Sequence, residues 1–279
     1  MCYHLSFLVK KLSDLAIRYN DVLAPNWQAK IDDFHVNIEN PNPGQPISTE
    51  LIEEWQARLD AIELPTYHHV TGMVHPRLPV IVKQGIFLVE WGLIPSWAQA
   101  GFNSIHTLNA RSEDIFTTPS YRDVIMKRRC IIPVSSFFET RHVHSETGKK
   151  KDTLKVPYRI FREHDLLSLA GVWDVWLDPV YGRRATFSIV TTKASPLMAQ
   201  IHNNPDRQGP RMPLILTEEN RNDWLNLNLP KENLKEIMQP YTGVLNAYTV
   251  STDINNYRRE PNRPNIVEKV EYPIPPLND

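Results

Sequence analysis

The sequence predicts an α+β fold, a mainly antiparallel sheet curled toward a barrel with flanking short helices. Three observations predict it. From residue 80 onward, short runs rich in Val, Ile, Phe and Thr recur between prolines, glycines and charges. Helical periodicity is confined to short segments on either side of that region. Proline is frequent at 23 residues and glycine scarce at 10, which favours short elements joined by rigid turns.

Residues 11–20 place Leu12, Leu15, Ala16 and Tyr19 on one helical face. Four prolines and little periodicity make 24–48 a loop. Residues 50–62 carry Leu51, Trp55, Leu59 and Ile62 at helical spacing, with Ser48 or Thr49 as cap and Glu50, Glu53 and Glu54 in the first turn. Strands follow at 80–82 and 86–91, a hairpin around Gly85, then at 130–138, 158–161, 166–173, 186–192, 213–216 and 247–251. Residues 139–156 are a polar loop whose Lys149–Lys151 run is a solvated turn or a phosphate contact. Two late helices cover 218–225 and 231–238. The proline-rich segment 257–279 wraps the surface or is disordered. No linker divides 1–256, which reads as one domain, with 24–66 as an inserted loop and helix.

Bulk properties exclude several classes. The chain has 279 residues, 41% hydrophobic and 23% charged, as expected of a soluble globular protein. No run approaches the ~20 apolar residues needed to span a bilayer, and the N-terminal apolar run is too short for a secretory signal. The expected location is therefore cytoplasmic, and on the nucleoid where DNA is damaged. Net charge is −1, so any nucleic-acid surface must be a local basic groove. Only Cys2 and Cys130 are present, which argues against a disulfide framework and a cysteine zinc site. The histidines lack metalloprotease spacing. No metal and no cofactor are expected, and the chain is expected to be a monomer.

Cys2 is the residue with the most specific chemistry. Aminopeptidases remove Met1 when the next side chain is small. The product carries an amine and a thiol on adjacent carbons. With an aldehyde, the amine forms an imine and the thiolate closes a five-membered thiazolidine. The ordinary pKa is about 8 for the amine and about 8.5 for the thiol, so each is partly reactive near neutrality. Position 2 alone is weak support, because Cys2 can simply be the second residue.

The words that follow Met-Cys strengthen it. They are Trp91-Gly-Leu-Ile-Pro-Ser-Trp97, Asn109-Ala-Arg-Ser-Glu113, Arg129-Cys-Ile-Ile-Pro133, Phe137-Phe-Glu139, Ala170-Gly-Val-Trp-Asp174, a run from Phe187 to Pro196, Ile201-His202 and Arg211-Met-Pro-Leu-Ile-Leu216. In order and wording the chain, from residue 2 to about Asn256, resembles the SOS-response-associated peptidase family of abasic-site processing proteins. In that family the final strand resembles the stretch from Val250 to Asn256.

The resemblance implies a protein of the SOS and DNA-damage response that binds single-stranded DNA containing abasic sites. It would crosslink to them through a thiazolidine on the mature Cys2, after removing its own Met1. Cys2 matches the nucleophile, Asn109 the residue steadying it, Glu139 the active-site acid and His202 the active-site histidine. Arg111 and Arg211 match DNA-facing arginines. Opening a closed abasic sugar and expelling a hydroxyl both need proton transfer. Glu139 suits both if partly buried under an aromatic wall, and His202 suits a shuttle. Taken singly, Glu139 can be a solvated strand end, His202 a structural histidine and Asn109-Ala-Arg111 a turn. Trp97, after Pro95-Ser96, is expected exposed as a stacking wall for a base, and Trp91 is expected in the core. His68, Arg77, Arg128 and Arg129 are lesser phosphate candidates.

Two departures bear on DNA contact. Members commonly begin Met-Cys-Gly-Arg, whereas Tyr3 and His4 stand here. They are expected to contact DNA at those places, and His4 would bind more strongly as it protonates. The loop 203–210 is also an extended variant. Two other readings remain: a hydrolase with Cys2 as N-terminal nucleophile, and a non-covalent binder of modified or single-stranded DNA.

Overall fold

The computed structural model describes residues 2–31, 34–37, 49–143, 153–205, 209–256 and 262–278. The Lys149–Lys151 run and the cap position Ser48 lie outside these residues. In chain order the first half contains β1 (His4–Phe7), α1 (Leu12–Arg18), β2 (Gln28–Ile31), β3 (Phe34–Asn37), α2 (Thr49–Asp60), β4 (Tyr67–Thr71), β5 (Arg77–Val82), β6 (Gly85–Trp91), β7 (Asn109–Arg111) and α3 (Val124–Lys127). The second half contains β8 (Arg129–Val134), β9 (Ser136–Val143), β10 (Leu154–Phe161), β11 (Leu167–Asp178), β12 (Gly182–Lys193), α4 (Pro196–Ile201), β13 (Arg211–Pro213), β14 (Ile215–Leu216), α5 (Glu218–Leu225), α6 (Lys231–Ile237) and β15 (Asn246–Thr249). None of the described helices is long and apolar enough to cross a membrane.

The architecture is α+β, with two sheets and short helices. One sheet runs β15-β10-β9-β1-β4, and all its pairings are antiparallel. The other runs β13-β12-β11-β8-β5-β6-β2-β3, and a parallel pairing of β6 with β12 closes part of it on itself. The strands β12, β11, β8, β5 and β6 therefore form a ring, the barrel-like curl that the alternating strands suggested. Leu78, Val80, Ile81, Ile86, Ile131, Ile132, Leu169, Val172, Phe187 and Ile189 are all buried.

Several expectations change. Residues 24–48 are not all loop: β2 and β3 pair with each other, and β2 adds parallel to the edge of β6. That strand pair gains its hydrogen bonds from a distant partner, which no local pattern announces. The run 130–138 is two strands that diverge at Ser135 and join different sheets. The polar loop after it is shorter than expected, because β9 continues to Val143 and β10 starts at Leu154. The last strand ends at Thr249, and Thr252–Asn255 is a 3-10 turn.

Trp91 is the largest side chain at the centre. It is fully buried, stacks on Phe187 with ring centroids 6.2 Å apart, and donates its indole N–H to the Leu108 carbonyl at 2.9 Å. Gly72 lies flat against it, so that a Cβ there would stand 3.1 Å from the indole and 2.9 Å from Leu108. Replacing Trp91 by Phe keeps an aromatic filler but removes one of the two hydrogen bonds that the Leu108 carbonyl accepts, the other coming from the Ile189 N–H at 3.1 Å. We expect Trp91→Phe to cost about 1–3 kcal/mol in denaturant unfolding, from the lost hydrogen bond and the space left by the smaller ring, and a cost below about 0.5 kcal/mol would refute a role for the hydrogen bond.

Candidate functional site

The site forms where the two sheets meet. Cys2 leads into β1, which is held between β9 and β4, with His4 opposite Phe138 on one side and Thr71 on the other. Asn109 starts β7, which pairs parallel to β12 with Asn109 opposite Ile189. From there the Asn109 amide donates to the Cys2 carbonyl at 2.9 Å, across the gap between sheets. The hydroxyl of buried Tyr121 in turn donates to the Asn109 backbone carbonyl at 3.2 Å. The Asn109 Oδ1 is buried and accepts no hydrogen bond among the described residues.

Cys2 is buried to 1% exposure, and its Sγ lies 3.9 Å from the His4 carbonyl. Burial pushes the thiol well above its ordinary pKa, and the nearby negative charge of Glu139 adds to this. The thiol is thus stored protonated. Glu139 sits within β9 rather than at a solvated strand end, and is also buried.

His202 follows α4 as its C-cap, where its backbone N–H caps the Met198 carbonyl at 2.7 Å. Its Nδ1 accepts the Arg211 backbone N–H at 3.0 Å. That leaves the neutral ring's proton on Nε2, and Nε2 lies 3.8 Å from Glu139 Oε2. Asn203 fixes the next turn: its side chain accepts the His142 N–H at 2.7 Å and donates to the His142 carbonyl at 2.9 Å. Glu139 and His202, with Tyr3 and His4, line a cleft of about 340 Å³ that also presents Lys155, His142 and Asn204.

Of the expected DNA-facing residues, Trp97 is 57% exposed and meets Phe102 edge-on, in a loop pinned by the Ser96 N–H on Asp174 at 2.7 Å. Arg111 is half-buried and follows Asn109 by two residues, on the same face of β7. Arg211 is different. It is buried, its two terminal nitrogens fork onto Glu113 at 2.9 and 2.8 Å, and it also donates to the Thr191 carbonyl at 2.8 Å. A guanidinium spent in this way braces His202 through its own backbone rather than reaching for phosphate. Arg129 is likewise structural: it is buried and donates to the carbonyls of Trp224, Ile125 and Asn226.

His4 also departs from expectation. Its Nδ1 lies 3.0 Å from His69 Nε2, the two rings stack at 5.1 Å, and Phe138 meets His69 edge-on. Burial lowers His4 to about 4. Burial and the neighbouring ring lower His69 to about 3. Neither ring is a cation near neutrality, so His4 does not replace the expected arginine's charge. His69 is the member of this site that the sequence reading missed, for its neighbour His68 carries no signal that tells them apart.

The family profile described as "SOS response associated peptidase (SRAP)" matches residues 52–257. The chain is 34% identical over 212 residues to the abasic site processing protein YoqW of Bacillus subtilis (strain 168), covering 71% of this chain and 88% of the relative. The abasic site processing protein HMCES of Rattus norvegicus is 27% identical over 198 residues, covering 62% and 54%. A crystal structure of a protein from Bacteroides thetaiotaomicron superposes with a TM-score of 0.71 at 32% identity, covering 97% of this chain and all of that one.

The stacked imidazoles give the fold a testable acid sensitivity. From pH 6.5 downward the unfolded chain takes up protons that the folded rings refuse, so the contribution is complete above 6.5 and is lost toward about 4 and 3. We expect the unfolding free energy to fall across that window by up to about 1.4 kcal/mol per pH unit for each ring. His69→Leu should flatten the slope in urea titrations, and equal slopes in both proteins would exclude the pair as its source.

Proposed function

This chain belongs to the SOS response associated peptidase family, and we propose that it processes abasic sites in DNA by a covalent bond from a mature N-terminal Cys2. The single observation carrying this reading is the Asn109 amide on the Cys2 carbonyl, beside a buried Glu139–His202 pair that opens on one cleft. Asn109 fixes the residue that reacts. Its partnerless Oδ1 is an acceptor suited to the amine exposed when Met1 is removed.

The steps balance as one condensation. Ring opening moves a proton from the sugar's C1′ hydroxyl to its ring oxygen, leaving the aldehyde. The Cys2 amine adds to C1′ and the resulting hydroxyl leaves as water, which requires a proton from Glu139 or His202. The thiol then adds to the imine carbon, its proton passes to the imine nitrogen, and the thiazolidine closes with the loss of one water overall. Glu139 can carry the proton in each direction, with His202 Nε2–H as the nearest exchange partner. The same groups would serve reversal and the hydrolytic loss of Met1. A sealed ring removes the open aldehyde that β-elimination requires, so the adduct shields the strand.

On the DNA side, Trp97 offers an exposed ring for stacking a base, worth about 1–3 kcal/mol. Arg111, on the same face of β7 as Asn109, would contact phosphate. Tyr3 and His4 meet the strand at the cleft, His4 as a neutral hydrogen-bonding ring. Turnover of other amides by Cys2 is less well served, because one of the two Asn109 side-chain N–H donors that could stabilise an oxyanion is already occupied by the Cys2 carbonyl.

Mixed with single-stranded DNA bearing one abasic site, the demethionylated protein should give a band shift on a denaturing gel. Cys2→Ala should give none, and neither should intact DNA. A reversible shift by both proteins under native conditions only would identify a non-covalent binder instead. Glu139→Gln keeps the shape of the side chain and should slow adduct formation about 10²-fold. Its affinity for an oligonucleotide with a tetrahydrofuran spacer, which has no aldehyde, should not change; a parallel loss of affinity would remove Glu139 from proton transfer.

A further inference from the structure

Residues 262–278 lie beyond the family-matched stretch, which stops at 257, yet they touch both walls of the site. Asn262 begins the segment by gripping the edge of β4, accepting the His68 N–H at 2.7 Å and donating to the Thr66 carbonyl at 2.9 Å. Ile266 is buried in a small cluster with Val250, Ile254 and Phe138, the residue that immediately precedes Glu139. The segment then runs along β15: the Val270 N–H donates to the Thr249 carbonyl at 2.9 Å, and the Tyr272 hydroxyl to the Val250 carbonyl at 2.9 Å. Arg141, two residues past Glu139 on β9, donates to the Pro275 carbonyl at 2.7 Å. Gln200, two residues before His202 on α4, exchanges two hydrogen bonds with the backbone of Asn278, at 3.0 and 2.7 Å.

We propose that segment 262–278 is a positioning strap that sets the approach of His202 to Glu139, through Gln200 on one side and Phe138 and Arg141 on the other. This rests on reading those two residues as the proton carriers of the crosslinking reaction. The geometry gives the strap something to set. The pair stands 3.8 Å apart on separate elements, beyond ordinary hydrogen-bond length. Its spacing therefore follows wherever β9 and α4 are held, and proton transfer is steep in that spacing. A segment that merely covered the surface would have no need to engage the neighbours of both carriers by main-chain hydrogen bonds.

The test compares the full chain with Gln200→Ala and Arg141→Ala, with Arg141→Lys as the variant that keeps a donor for the Pro275 carbonyl. Gln200→Ala and Arg141→Ala should each slow adduct formation about 10-fold and shift its pH–rate profile. Arg141→Lys should recover most of the rate. Circular dichroism melts and the affinity for the tetrahydrofuran oligonucleotide should stay as in wild type. Imidazole nitrogen shifts of His202, read by NMR without any DNA, should move in the two alanine variants. Unchanged rates and unmoved His202 shifts would overturn the strap, as would rate losses matched by lost folding. A wild type that forms no adduct would refute the crosslinking reading alone, and the His202 shifts would then decide the strap by themselves.

Discussion

One hydrogen bond, from the Asn109 side chain to the carbonyl of Cys2, ties the residue that leads into β1 in one sheet to a strand of the other. Everything that positions the site acts on one end of it or the other. On the Asn109 end stand Tyr121, the pairing of β7 with β12, and Trp91 beneath the preceding Leu108. On the Cys2 end stands β1, enclosed between β9 and β4. A short strand beginning just after Cys2 would fray if it lay at an edge; placed fourth of five, with a partner strand on each side, it does not. The cost is burial of a polar side chain and a thiol, and burial keeps that thiol in its protonated form.

How much of this was legible depends on whether the signal was local. The hairpin around Gly85 and the helices at 218–225 and 231–238 follow from periodicity and turn chemistry, and they appear within a few residues of where the pattern puts them. The pair β2 and β3 escaped because its stability comes from the edge of β6. β1 escaped because it follows the first residues without a boundary signal. At the site, Cys2, Asn109, Glu139 and His202 stood out through the order of words around them, not through any one spacing. Trp91 and Trp97 separated correctly into buried and exposed, since the one continues a strand and the other follows Pro95-Ser96.

Three of the basic residues singled out in the sequence are engaged inside the fold for a shared physical reason. Arg211, Arg129 and His4 were judged by the charge their side chains can carry, but each, buried or half-buried, meets a partner far away in sequence: Glu113, the carbonyls around α5, and His69. A sequence shows that a cation exists and not whether it is already spent. Arg211 is instructive, because its role survives in altered form. The guanidinium anchors to Glu113, and the backbone N–H thus held in place settles which nitrogen of His202 bears the proton.

Cys130 adds a consequence of its own. It is completely enclosed, packed so closely on Gly171 that a Cβ there would come within 3.0 Å of its sulfur, and burial drives its thiol far from ionisation. Oxidants and alkylating agents work through thiolates, so this second sulfur is chemically silent while the fold stands. Any label or adduct found on Cys130 therefore reports that the molecule had come apart.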